Sequence, residues 1–113
     1  MPTVNPNAYL DVENAIKRVG GNEALYKKLL SLFLSDNHVD DLCVAIESND
    51  LEESSKIAHA TKGVCVNLSL NKLSALASDI NVSAKNDQDC KQYLPELKAT
   101  YDKTIELIDE YLR

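Results

Sequence analysis

Apolar residues recur every three or four positions along most of this sequence, and this spacing limits the possible folds more than any other feature. The clearest case runs from residue 70 to residue 85, with apolar positions separated by three, four, three and four residues: Leu70, Leu73, Ala77, Ile80 and Ala84. Side chains at that spacing share one face of an α-helix. Abundant leucine, alanine, lysine and glutamate, with only three glycines and three prolines, also favour helix over sheet.

The same spacing predicts five helices. The first is capped by Asp11 and stops at Gly20-Gly21, and the second is capped by Asn22 and runs to about Ser48 with a bend at residues 35–38. The others span about Leu51 to Leu68, about Leu70 to Lys85 and about Asp89 to Leu112. We expect Pro95 to kink the last helix or to mark its true start.

Each predicted helix has an apolar face that we expect to be buried. The face of residues 70–84 is given above. In chain order, the faces of the other four helices are Val12, Ala15, Ile16 and Val19; Leu25, Leu29, Leu32, Val39, Cys43 and Ile46; Ser54, Ile57, Ala58, Thr61, Val64, Cys65 and Leu68; and Leu94, Leu97, Tyr101, Ile105, Ile108 and Leu112. Four long amphipathic helices with short connections predict an all-α fold, an antiparallel up-and-down four-helix bundle with a short additional N-terminal helix. We expect one domain over residues 1–113, and other helical topologies remain open.

Composition and charge exclude several classes of function. No apolar run approaches the roughly 20 residues that cross a bilayer, and residues 1–9 lack the features of an export signal, so we expect a cytoplasmic protein with no membrane partner. A net charge of -6 argues against binding nucleic acid. The three cysteines form no CxxC pair, which indicates neither a disulfide framework nor a zinc site, and Cys43 and Cys65 are typical of small core residues.

His59 lies outside the apolar face of its predicted helix and is therefore expected to be exposed. Lys62 follows one turn later and Lys56 precedes by one turn, so positive charge is concentrated where a phosphoryl group on the imidazole would lie. Gly63 destabilises a helix interior by roughly 1 kcal/mol relative to alanine, and room for another protein's approach is a physical reason for it. Neutral imidazole is nucleophilic, and its phosphoramidate is labile enough to pass the group on.

The segment HATKGVCVNLS, His59 to Ser69, resembles the signature of the histidine-containing phosphotransfer (HPt) family, in which lysine and glycine follow a histidine at these offsets. AIKRVGGNEALYKKLLSLF is similar to the end of that family's first helix and the start of its second, and the resemblance covers about Asp11 to Leu112. Thr61 departs from it at a usually aliphatic position, and Val66 and Ser69 replace small or glycine residues. We expect Val66 to narrow the choice of partner and Ser69 to alter the following turn.

The resemblance implies a phosphorelay intermediate in a two-component system, a monomer without a cofactor or kinase activity of its own. His59 would accept phosphoryl from an aspartyl phosphate on a receiver domain and pass it to another, with Lys62 stabilising charge and Gly63 giving steric access. The implied partners are response-regulator receiver domains and a hybrid sensor histidine kinase. Asn81 and Lys85 fall near positions where some members place polar residues that orient or assist the histidine.

Competing interpretations use the same residues. A metal-binding bundle would need a glutamate three residues before the histidine, where Lys56 stands instead. His38, among Asp36, Asp40 and Asp41, is more typical of a solvated acidic face than of a cation site. ATP-dependent kinase activity is excluded because the glycine-rich loop and the HRD and DFG motifs are missing. Two alternatives remain: a non-phosphorylated scaffold or competitor that binds receiver domains, and the phospho-accepting domain of a chemotaxis-type kinase.

Overall fold

The computed structural model describes residues 6–113, and side chains from residue 8 onward. Its helices are α1 (Pro6–Tyr9), α2 (Val12–Arg18), α3 (Glu23–Ser35), α4 (Val39–Glu47), α5 (Leu51–Leu68), α6 (Asn71–Lys85) and α7 (Leu94–Leu112), with a 3₁₀ turn at Lys91–Tyr93. No strand occurs in this part of the chain, which confirms the all-α prediction. The sequence interpretation of residues 1–5 lies outside the described residues.

Side-chain caps explain where three of the helices begin. The carboxylates of Asp11 and Asp50 and the amide oxygen of Asn22 each accept a hydrogen bond from the backbone N–H three residues later, at 3.3, 3.1 and 3.0 Å. Each such bond satisfies an N–H group that has no partner within its own helix. The predicted caps at Asp11 and Asn22 are thereby confirmed. Pro95 lies in the first turn of α7, so it marks the start of that helix and does not kink it.

The helix predicted from Asn22 to about Ser48 is instead two helices, with a break at residues 36–38. The side chain of Asn37 stabilises this break through three hydrogen bonds. Its Nδ2 donates to the carbonyl of Phe33 at 2.9 Å and to the hydroxyl of Tyr101 at 3.0 Å, and its Oδ1 accepts from the N–H of Val39 at 3.1 Å. The amide therefore replaces helical hydrogen bonds that the break removes.

The buried face of α3 differs from the predicted one. Tyr26, Leu30 and Phe33 enter the core, whereas Leu25 is 41% exposed and Leu32 is 55% exposed. The hydroxyl of Tyr26 donates to the carbonyl of Leu68 at 2.9 Å. This bond fixes the rotation of α3 about its axis so that its aromatic side chains are buried. In α5 the predicted face is buried or half-buried except at Val64, which lies on the edge next to α3 and is 47% exposed.

Helices α5 and α6 form the most extensive helix pair. Ser55 near the start of α5 bonds Asn81 near the end of α6, so the two helices run antiparallel. Two residues connect them, and Ser69 takes the left-handed conformation with φ +56°, where glycine is the usual residue. Every predicted inward residue of α6 is buried: Leu70, Leu73, Ala77, Ile80 and Ala84. Helix α7 closes the core against α3, α4 and α6, with Leu97 and Ile108 fully buried. The central turns of α5 are thus packed against α6.

Candidate functional site

His59 lies in the middle of α5, and its side chain is exposed. Lys62 is half-buried, and Gly63 is exposed on the next turn of the same side of the helix. A Cβ built on Gly63 would meet no other atom within 4 Å, so the surface beside the imidazole is open. The three residues singled out in the sequence therefore lie together on one accessible face, as helical spacing predicts.

The charges next to His59 are unpaired cations. Lys56 is exposed one turn before it, and neither Lys56 nor Lys62 forms an ion pair within residues 8–113. Because Lys62 is half-buried, the position of its ammonium group is more restricted than that of a fully exposed lysine. A dianionic group on the imidazole would thus lie within one turn of two lysines that form no ion pair among the described residues.

A hydrogen bond between α5 and α6 lies one turn before His59. The hydroxyl of Ser55 donates to Oδ1 of Asn81 at 2.9 Å, and Asn81 is only 8% exposed. Asn81, which the family resemblance singled out, therefore has Ser55 as its partner. Lys85 is exposed one turn further along α6, and it lines a shallow depression together with Ser55 and Lys56. Helical spacing places Ser55, four residues before His59, on the same face, but the sequence carries no signal for its bond to Asn81.

On the other side of His59, an apolar groove separates α5 from α3 and from the break at residues 36–38. Ala60 and Val64 line it from α5, while Phe33 and Leu32 line it from α3. Thr61 also faces this groove, and its hydroxyl is buried without a hydrogen-bond partner among the described residues. The imidazole thus stands between a polar seam toward α6 and an apolar groove toward α3.

The cysteines do not contribute a nucleophile to this face. Burial raises the pKa of the Cys65 thiol to about 12, and it raises the pKa of Cys43 and of Cys90 as well. Cys65 is fully buried, as predicted for a small core residue, whereas Cys43 is only half-buried. A protonated, buried thiol is a poor nucleophile and a poor metal ligand.

The second histidine has different surroundings. His38 is exposed at the start of α4, and its Nδ1 lies 3.4 Å from a carboxylate oxygen of Asp41. No three side chains of the metal-ligating types come together within residues 8–113. None of the described helices is long and apolar enough to span a membrane. His38 therefore lies on an acidic surface, and no cluster of metal-ligating side chains surrounds it among the described residues.

Comparisons of the chain with protein-family models, with curated proteins and with solved structures find no match. The functional interpretation therefore depends on the residues around His59 and on the motif that they form.

Proposed function

We propose that this domain is a phosphorelay intermediate that accepts a phosphoryl group on His59 from the aspartyl phosphate of one receiver domain and passes it to another. The observation that carries the proposal is an exposed imidazole in the middle of α5, with a lysine one turn later that forms no ion pair among the described residues and an open glycine beside it. The resemblance of residues 59–69 to the HPt motif supports the same reading.

The proposed fold is an antiparallel four-helix bundle. In it α3 and α4 together take the place of one helix, and α5, α6 and α7 are the other three. Three contacts support this arrangement. Ser55 near the start of α5 bonds Asn81 near the end of α6, Glu23 at the start of α3 bonds Tyr111 at the end of α7, and Glu47 at the end of α4 pairs with Lys98 early in α7. Helix α2 then forms the additional N-terminal helix.

The reaction that fits these residues is a direct displacement at phosphorus. The unprotonated Nε2 of His59 attacks, an N–P bond forms, and the P–O bond to the receiver's aspartate breaks, so that the aspartate leaves as a carboxylate and the Nδ1 proton stays on the ring. The Lys62 ammonium stabilises charge on the transferring oxygens. Gly63 leaves the space through which the partner's acyl phosphate comes into line. Onward transfer reverses these steps with a second receiver, and magnesium is supplied through the receiver.

The experiment uses receiver domains loaded with phosphate from acetyl phosphate and magnesium, then separated from the small donor. Mixing them with the full chain should produce phosphate on the domain that is labile in acid and stable in base. His59→Gln should abolish it, whereas the control His38→Gln, which changes the other exposed histidine, should not. Phosphorylation that persists in His59→Gln would disprove the assignment. Receiver binding without phosphorylation would instead support the scaffold alternative.

A further inference from the structure

The outer side of α4 exposes an apolar side chain between two grooves. Val44 is 61% exposed, the highest value among the large apolar side chains of the described residues. One groove, of about 530 Å³, separates α4 from α5, and the other, of about 390 Å³, separates α4 from α7. Val44 lines both grooves and therefore forms the ridge between them. We call Val44 and the two grooves the α4 surface.

The larger groove has an apolar floor and the length of a short helix. Ala45 from α4 and Ile57 and Ala60 from α5 line it together with Val44. Every residue that lines it belongs to α4, to α5 or to the segments directly before and after α4, so no other helix of the described chain covers it. Helix α4 has nine residues and is about 14 Å long. The groove therefore has room for two to three turns of a helix from outside.

The rim of the α4 surface is acidic. Six carboxylates and two lysines line the two grooves, Asp40, Asp41, Glu47, Asp50, Glu53 and Asp102 against Lys56 and Lys98. Lys98 is already paired with Glu47 at 3.4 Å. Asp40, Glu53 and Asp102 are exposed and form no ion pair within residues 8–113. The surface thus presents negative charge without a cationic partner on both sides of an apolar ridge.

We propose that the α4 surface docks an amphipathic helix of a partner protein that carries lysine or arginine beside its apolar stripe. Such a helix packs apolar side chains spaced by three and four residues against Val44 and Ile57, and its cations lie over the carboxylates of the rim. Complementary charge selects this occupant, whereas a second copy of the chain, with a net charge of -6, brings like charge. The inference does not depend on phosphoryl transfer by His59.

The test is a titration of the full ¹⁵N-labelled chain with a synthetic amphipathic helix of leucine and lysine, followed by ¹H–¹⁵N correlation spectra. A peptide of about 18 residues is long enough to form a helix. Its binding should shift the amide signals of α4 and of the first half of α5, and should weaken as salt is added, because salt screens exposed charges. The same peptide with glutamate in place of lysine should not bind.

Substitutions of exposed residues separate the apolar ridge from general acidity. Val44→Ser should weaken binding of the lysine peptide by about 10-fold with an unchanged Tm, since serine and valine have similar helix propensities. Val82→Ser, at a valine of α6 that is 56% exposed, is the matched control and should bind like the wild type. Glu53→Gln should weaken binding by about 2- to 5-fold, whereas Glu110→Gln, at an exposed carboxylate late in α7, should not.

Four results would overturn the proposal. They are equal binding by Val44→Ser and the wild type, binding of the glutamate peptide, shifts spread evenly over the acidic residues of the chain, and shifts centred on α3 and the second half of α5. Self-association of the chain in sedimentation that Val44→Ser abolishes would also overturn it, because the occupant would then be a second copy. None of these measurements involves a phosphoryl donor, so the proposal stands or falls separately from the phosphorelay function.

Discussion

Gly63 offers a way to separate folding stability from phosphoryl transfer. The residue is exposed in the interior of α5, and a Cβ there meets nothing within 4 Å. Gly63→Ala therefore adds no clash and removes the conformational freedom of glycine in the unfolded chain, which is worth about 1 kcal/mol in a helix interior. With an unfolding entropy of about 2.1 cal/mol/K per residue, 113 residues give about 240 cal/mol/K, and the Tm should rise by about 4 °C.

The larger variant Gly63→Gln tests the steric role. Glutamine is also a good helix former, so this variant should unfold at or slightly above the wild-type temperature. Its side chain projects into the open space beside His59, where an incoming acyl phosphate must come into line. We expect the transfer rate to fall by roughly 10-fold or more, since small displacements of reacting groups are costly.

The assays are thermal unfolding followed by circular dichroism and transfer from a phosphorylated receiver followed by rapid quenching. Ala60→Gly is a matched control, because Ala60 is exposed on the same helix three residues earlier. It should lower the Tm by about 4 °C while transfer persists. If Gly63→Gln melts markedly earlier than the wild type, the glycine serves helix packing, and the docking face around His59 is misplaced. Full activity in Gly63→Gln would refute the steric role.

Three further predictions follow from the same structure. Lys62→Ala should slow transfer by about 10- to 100-fold in quenched-flow assays with an unchanged Tm, because it removes charge stabilisation and not the nucleophile; unchanged rates would make Lys62 an ordinary surface residue. Thr61→Val should raise the free energy of unfolding in urea by about 1 kcal/mol, because the hydroxyl of Thr61 is buried without a hydrogen-bond partner in the described part of the chain. Burial and the hydrogen bond to Glu23 raise the pKa of Tyr111 to about 12. The stability that this shift contributes is therefore present below pH of about 10 and lost as the pH rises through about 12. Because phenylalanine has no hydroxyl to ionise, the free energy of unfolding in urea should fall less for Tyr111→Phe than for the wild type across that range.

The elements that sequence predicts well are those that local rules determine. The face of α6 and the caps at Asp11 and Asn22 depend on residues within one or two turns of each other. The missing N–H of proline limited Pro95 to a kink or a helix start, and the structure shows the second, with α7 beginning at Leu94. The exposure of His59 belongs to the same group, since helical spacing alone puts it away from Thr61 and Cys65.

The face of α3 could not be chosen by the same rules. Leu25, Leu29 and Leu32 have the spacing of a buried stripe, but so do Tyr26, Leu30 and Phe33, one residue further along. Apolar residues cover a wide arc of this helix, so periodicity leaves its rotation undetermined. The bond from the Tyr26 hydroxyl to the carbonyl at the end of α5 decides between them, and it joins residues 42 positions apart.

The bond between Ser55 and Asn81 was hidden for the same reason. It depends on the register between α5 and α6, which is set by the left-handed turn at Ser69 and by packing along both helices. The two residues are 26 positions apart, beyond any helical spacing. Sequence alone could place Ser55 beside His59 and Asn81 on the next helix, but not bring the two together.

The two exposed histidines of this chain differ in the charges that surround them. His38 lies next to Asp41 at the N-terminus of an acidic helix, so an approaching phosphoryl group would meet carboxylates there. His59 has two lysines within one turn that form no ion pair within residues 8–113, in a chain whose net charge is -6. Because opposite charges near a site steer association and like charges oppose it, an anionic partner would be attracted more to the face of His59 than to that of His38.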